Sequence, residues 1–79
     1  MKQIVYEIVV FLNLMGYDDR NSKIRLLTNM YNNQLDMEKD AIINILESLI
    51  AELNKNNVHE SIIANLDNYI TLINRESEY

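Results

Sequence analysis

The chain contains no cysteine, no proline and no tryptophan, and only one glycine, one histidine and one phenylalanine in 79 residues. Each absence closes off a class of protein. Without cysteine there is neither a disulfide framework nor a thiolate metal site, and a single His59 supplies no imidazole cluster. One glycine cannot build a phosphate-binding loop or the central turn of a calcium loop, so no nucleotide, metal or other cofactor is expected. No apolar run approaches the roughly 20 residues that cross a bilayer, since the longest, Ile8 to Met15, is interrupted by Asn13. Lys2 is the only basic residue ahead of that run, Glu7 lies at its edge, and no small-residue cleavage site follows it. The expected address is therefore the cytoplasm, with no signal peptide or anchor.

What is present is acidic and apolar. Twelve acidic residues against seven basic ones give a net charge of −5, which disfavours wholesale attraction to nucleic acid or to anionic membrane. The charge is also uneven. Residues 1–35 carry four basic and three acidic groups, whereas 36–79 carry three and nine. Hydrophobic residues make up 48% of a chain so short that folding hides only about 60% of its extended surface. Without cysteine or metal, stability must come from packing or self-association, and a homodimer is compatible with this.

With glycine and proline so scarce, breaks are read from Asn, Asp and Ser, which compete for backbone hydrogen bonds and favour caps and turns. Gly16-Tyr17-Asp18-Asp19 offers a left-handed helix end and an Asp to cap the next helix. Asn32-Asn33-Gln34-Leu35-Asp36 leads into Asp36, Glu38 and Asp40, an acidic first turn suited to a helix dipole. Asn54-Lys55-Asn56-Asn57 forms the third break, and Asn57 with Glu60 has capping-box spacing.

Between the breaks, apolar residues recur at helical period. Residues 21–32 would bury Ile24, Leu27, Met30 and Tyr31. Residues 37–55 would bury Ile42, Ile45, Leu46, Leu49 and Leu53, with Asp40, Asn44, Glu47, Ala51 and Lys55 outside. Residues 58–75 repeat the pattern, with Ile62, Leu66, Tyr69 and Ile73 inside and Glu60, Asp67, Thr71 and Asn74 outside. In residues 2–15, Ile4, Val5, Ile8, Val9 and Val10 are β-branched and the even positions from Ile4 to Leu14 are all apolar, as in a strand, yet a lone strand would leave both its edges unpaired within the chain. A helix is expected there, its polar stripe of Gln3, Glu7 and Asn13 so thin that most sides should be buried; a strand paired between two chains is the alternative. The reading is thus one all-α domain over residues 1–79, a small four-helix bundle whose last two helices form an antiparallel hairpin across a short Asn-rich link.

A shift of 20 residues aligns Ile42 with Ile62, Ile43 with Ile63, Leu46 with Leu66, Ile50 with Ile70 and Asn54 with Asn74, and pairs Glu47 with Asp67. A duplicated helix would give this similarity, and so would two amphipathic helices drawn from few residue types.

Enzymatic readings lack parts. His59 falls in the first turn of the last helix with no partners for a triad, and Asp18-Asp19 and Glu38-Asp40 fit caps and first-turn charges better than acid-base pairs. An acyl carrier protein would need Asp-Ser-Leu at a helix start, whereas the nearest match, Glu47-Ser48-Leu49, falls in mid-helix with Glu for Asp. DNA binding has one foothold, the basic cluster of Arg20, Lys23 and Arg25 ahead of a helix-turn-helix-like pair. The reading helix would then begin with Asp36, Glu38 and Asp40, which repel phosphate.

Interaction with another protein remains the expected function. Tyr17, Tyr31, Tyr69 and Tyr79 are candidate anchors, with Tyr69 also a core candidate, and Glu47 and Asp67 are candidate charged contacts. In size, acidity and helical pattern the chain resembles small bacterial immunity proteins and phage-encoded inhibitors, a likeness of form without a shared motif. It implies a non-enzymatic inhibitor, immunity protein or regulatory adaptor.

Overall fold

The computed structural model describes residues 2–33, 38–57 and 59–76, and among them the regular structure is wholly helical. The order is α1 (Lys2–Leu14), α2 (Ser22–Asn32), α3 (Lys39–Lys55) and α4 (Glu60–Glu76). The doubtful first segment is therefore a helix. The expected start of the third helix at residue 37 lies outside the described residues, as does residue 58, the expected start of the fourth.

Local chemistry explains where the helices stop. Gly16 adopts a left-handed φ of +92°, and its N–H donates to the Asn13 carbonyl at 3.1 Å while the Tyr17 N–H reaches back to Leu12 at 2.9 Å. This pair of bonds closes α1 as a Schellman motif. The cap of α2, however, is Asn21 and neither of the aspartates expected for it. Its side-chain oxygen accepts from the backbone N–H groups of Lys23 and Ile24, while Asp18 is engaged with Arg20. The expected capping box between Asn57 and Glu60 is also replaced. Asn57 takes a left-handed φ of 57° and its N–H donates to Asn54, so it finishes α3 and does not start α4. Asn tolerates that conformation better than other residues with a Cβ. Glu38 precedes α3 in extended conformation with no side-chain cap bond, leaving Asp40 as the described first-turn acid.

Each helix packs on its chain neighbour and α4 returns to α1, giving a closed ring of four. Among the described residues the diagonal helices make no close backbone approach. One apolar core fills the middle: Ile4, Val5, Ile8 and Leu12 from α1, Ile24, Leu27 and Met30 from α2, Ile42, Leu46, Leu49 and Leu53 from α3, and Ile62, Leu66 and Ile73 from α4. Among the described residues no polar or charged side chain is buried with them, so the core carries no desolvation penalty of that kind. Each fully buried Leu or Ile contributes about 1.5–3 kcal/mol of transfer free energy. The radius of gyration of 11.8 Å matches the value of about 11.6 Å for a compact chain of this length.

Packing refines the expected faces. Ile45, Tyr31 and Tyr69 are half-buried at the margin of the core, while the polar positions expected outside on α3 and α4 are all exposed. Residues related by the 20-residue shift have matching environments: Ile42 and Ile62 are buried, as are Leu46 and Leu66, while Glu47 and Asp67 face solvent. Helical period alone produces this equivalence when each helix lays one face on the same core.

The largest departure lies in α1. Its inner stripe is buried as expected, but the expectation that most sides would be covered is wrong. Tyr6 is 46% exposed, Val10 37% and Leu14 76%, and Met15 beyond the helix end is also exposed. In a ring of four helices, α1 packs on α2 and α4, so among the described residues no helix covers its outward side.

Candidate partner-binding surface

Helical geometry makes the outward side of α1 a continuous feature. Tyr6, Val10 and Leu14 are spaced four residues apart and so stack along one line. At about 100° per residue, that line runs opposite the buried stripe of Ile8 and Leu12. Along one side of it, Glu7, Phe11 and the α4 residue Tyr69 complete an open groove of about 390 Å³. The Phe11 and Tyr69 rings form its floor, tilted at 57° with centroids 6.1 Å apart. Burial, and then the nearby Glu7 carboxylate, push the Tyr69 phenol above its usual value. Among the described residues Glu7 is the one charged side chain lining the groove. Leu72, one turn beyond Tyr69 on α4, is another exposed apolar side chain.

The other side of the line ends in a second aromatic contact. Tyr6 packs against Tyr31 of α2 with ring centroids 5.4 Å apart, and the Lys2 ammonium sits 5.3 Å from the Tyr31 ring centre. This is a cation–π contact that secures the start of α1 to the end of α2.

The anchors and charges expected from sequence are not gathered in one place. Tyr31 is occupied by Tyr6 and Lys2, and Tyr17 is half-buried against the core just after its N–H closes α1. Glu47 and Asp67 are exposed on the solvent faces of α3 and α4, and Tyr79 lies outside the described residues. Of the expected tyrosines among the described residues, Tyr69 alone lines the groove. Tyr6, Val10, Phe11 and Leu14 were not singled out by sequence reasoning. The signal for them was present: Tyr6, Val10 and Leu14 put apolar side chains among the polar Gln3, Glu7 and Asn13 on the side of α1 opposite its buried stripe.

The basic cluster is drawn into acidic partners. Arg20 donates from Nε to both carboxylate oxygens of Asp18 at 3.0 and 3.2 Å, and its backbone N–H donates to the same side chain. That contact holds the Asp18 carboxyl below the usual carboxylate range. Lys23 places its ammonium 2.9 Å from Glu52 Oε2, an ion pair without hydrogen-bond alignment. Asn21 donates to the other Glu52 oxygen at 3.4 Å, so the residue that caps α2 also ties it to α3. Arg25 is exposed.

His59 is exposed just ahead of α4, and its carbonyl accepts from the Ile62 N–H. Ser48 is an exposed mid-helix residue of α3. Among the described residues no group of three or more His, Asp or Glu side chains is placed to hold a metal ion, and no helix is long and apolar enough to cross a membrane. Comparison with protein-family models, with characterised proteins and with solved structures gives no match to this chain.

Proposed function

We propose that this chain is a non-enzymatic protein-binding module that docks another protein on the outer side of α1 and acts by occluding or adapting that partner, as an inhibitor, immunity protein or regulatory adaptor does. The observation that carries the proposal is the exposed line of Tyr6, Val10 and Leu14 beside the Phe11–Tyr69 floor. Isolated apolar side chains are ordinary on a protein surface, whereas a contiguous row beside an aromatic groove is the feature that partner surfaces share. The reading takes α3 and α4 as an antiparallel hairpin forming the acidic back of the module, and places the module in the cytoplasm. A second copy of the chain is the alternative occupant of the same face.

DNA binding through Arg20, Lys23 and Arg25 has less support, because Asp18 and Glu52 already neutralise two of the three. The test compares the immobilised chain with its Leu14→Glu variant in retaining material from the native host. Leu14 is outside the core, so the variant should fold. Retention of a protein by the parent and its loss in the variant is the expected result. Recovery of nucleic acid alone, released by rising salt, would sink the proposal.

A further inference from the structure

We infer that the occupant of the α1–α4 groove is an amphipathic helix carrying a basic residue, and that Glu7 is the group that selects it. This rests on the docking role proposed above for the same face. Tyr6 to Leu14 covers nine residues of helix, a rise of about 12 Å at 1.5 Å per step. That length matches two turns of a partner helix laid along α1, with apolar anchors at intervals of three and four residues. The floor of Phe11 and Tyr69 takes the central anchor, and Leu14 bounds the groove at the end of α1.

Charge decides what kind of helix fits. Among the described residues Glu7 is the one charged lining residue, it lies at the Tyr6 end, and it is close enough to Tyr69 to act on the phenol. A docked helix that covered Glu7 with apolar side chains would strip water from a carboxylate and leave it uncompensated. A Lys or Arg on the partner at that end supplies the counter-charge, with the apolar part of its side chain lying over the Tyr6 ring. The net charge of −5 favours the encounter with a basic partner over an acidic one.

A displayed library of helical peptides tests this, with apolar residues fixed at three-and-four spacing and the remaining positions randomised. It is selected against the full chain and against Glu7→Gln, Glu7→Lys and Leu14→Glu, each checked for an unchanged helical spectrum. Selection on the parent should enrich one basic position at a fixed offset from the anchors. Those peptides should bind about fivefold more weakly to Glu7→Gln, and Glu7→Lys should turn the preference to Asp or Glu. Peptides enriched without a basic position, or with one that persists against Glu7→Lys, would overturn the inference while leaving the docking role intact. Failure to enrich any peptide that depends on Leu14 would overturn both. Sedimentation showing a low-micromolar dimer broken by Leu14→Glu would make a second copy the occupant and would overturn the inference.

Discussion

Helices α1 and α3 each bury four apolar residues on one side, Ile4, Val5, Ile8 and Leu12 in the first and Ile42, Leu46, Leu49 and Leu53 in the second. Their reverse sides are unlike. On α3 the outward positions are Asp40, Asn44, Glu47, Ala51 and Lys55, a surface that water solvates at little cost. On α1 they include Tyr6, Val10 and Leu14. Both helices sit in the same ring, each packed on two neighbours, and among the described residues no helix covers either of them on the outside. The difference lies in sequence alone, and it teaches that the outer stripe of α1 is not required by the four-helix core. That stripe suits contact with something else, because apolar area left in water gains free energy when a partner covers it.

The comparison can be broken first on the buried side. Leu12 is fully buried and its carbonyl anchors the turn after α1, so Leu12→Ala should cost about 2–5 kcal/mol in a thermal or urea melt. For a domain of this size that lowers the midpoint by about 4–8 °C per kcal/mol. Removal of the α2 cap by Asn21→Ala should cost about 1 kcal/mol, because it frees two backbone N–H groups and one contact to Glu52. Gly16→Ala should cost about as much, roughly 1 kcal/mol for a left-handed residue with a Cβ. The space around Gly16 is open, so that cost is conformational and involves no clash. On the outer side, Leu14→Ala should change the melting free energy of the isolated chain by less than about 0.5 kcal/mol. A large loss there would mean that the outer stripe belongs to the core after all.

The smallest effect concerns pH. The folded Tyr69 phenol has a raised value relative to its ordinary 10.0, from burial first and from Glu7 second. The unfolded chain therefore releases this proton first. The stability that depends on the neutral phenol is complete below the ordinary value and is lost as pH rises through the folded one. Tyr69→Phe should flatten this alkaline limb of the melting midpoint, and an unchanged limb would show that Tyr69 is fully solvated.

Sequence period made the four helices and most of the core readable, because Ile24, Leu27, Ile42, Leu46, Leu66 and Ile73 each fall on a single apolar stripe bordered by polar residues. Gly16 was readable for a local reason, since a lone glycine after an apolar run has few other uses. Caps were less so. Asp18, Asp19 and Asn21 can all cap a helix, and the choice fell to Asn21 where Arg20 claimed Asp18 and Glu52 came within reach of the cap side chain. The binding face was the least legible part. Gln3, Glu7 and Asn13 lie on the same side of α1 as Tyr6, Val10 and Leu14 and mark it as the outer one, but so thin a polar stripe does not show that the apolar residues among it stay uncovered. The packing of α1 on α4, which brings Tyr69 against Phe11, is set by contacts between helices far apart in the chain. Tyr17 and Tyr31 illustrate the converse. Their residue type suggested contact with a partner, and packing within the chain engages them instead.

The account stands most directly on the footprint of a bound partner. Backbone and side-chain NMR signals of the isotopically labelled chain, followed while a retained protein or selected basic helical peptide is added, would locate it residue by residue. The account predicts shifts concentrated on Tyr6, Glu7, Val10, Phe11, Leu14 and Tyr69, with the resonances of Glu47 and Asp67 unmoved. A footprint centred on Glu47 and Asp67, or on Arg20, Lys23 and Arg25, would contradict it.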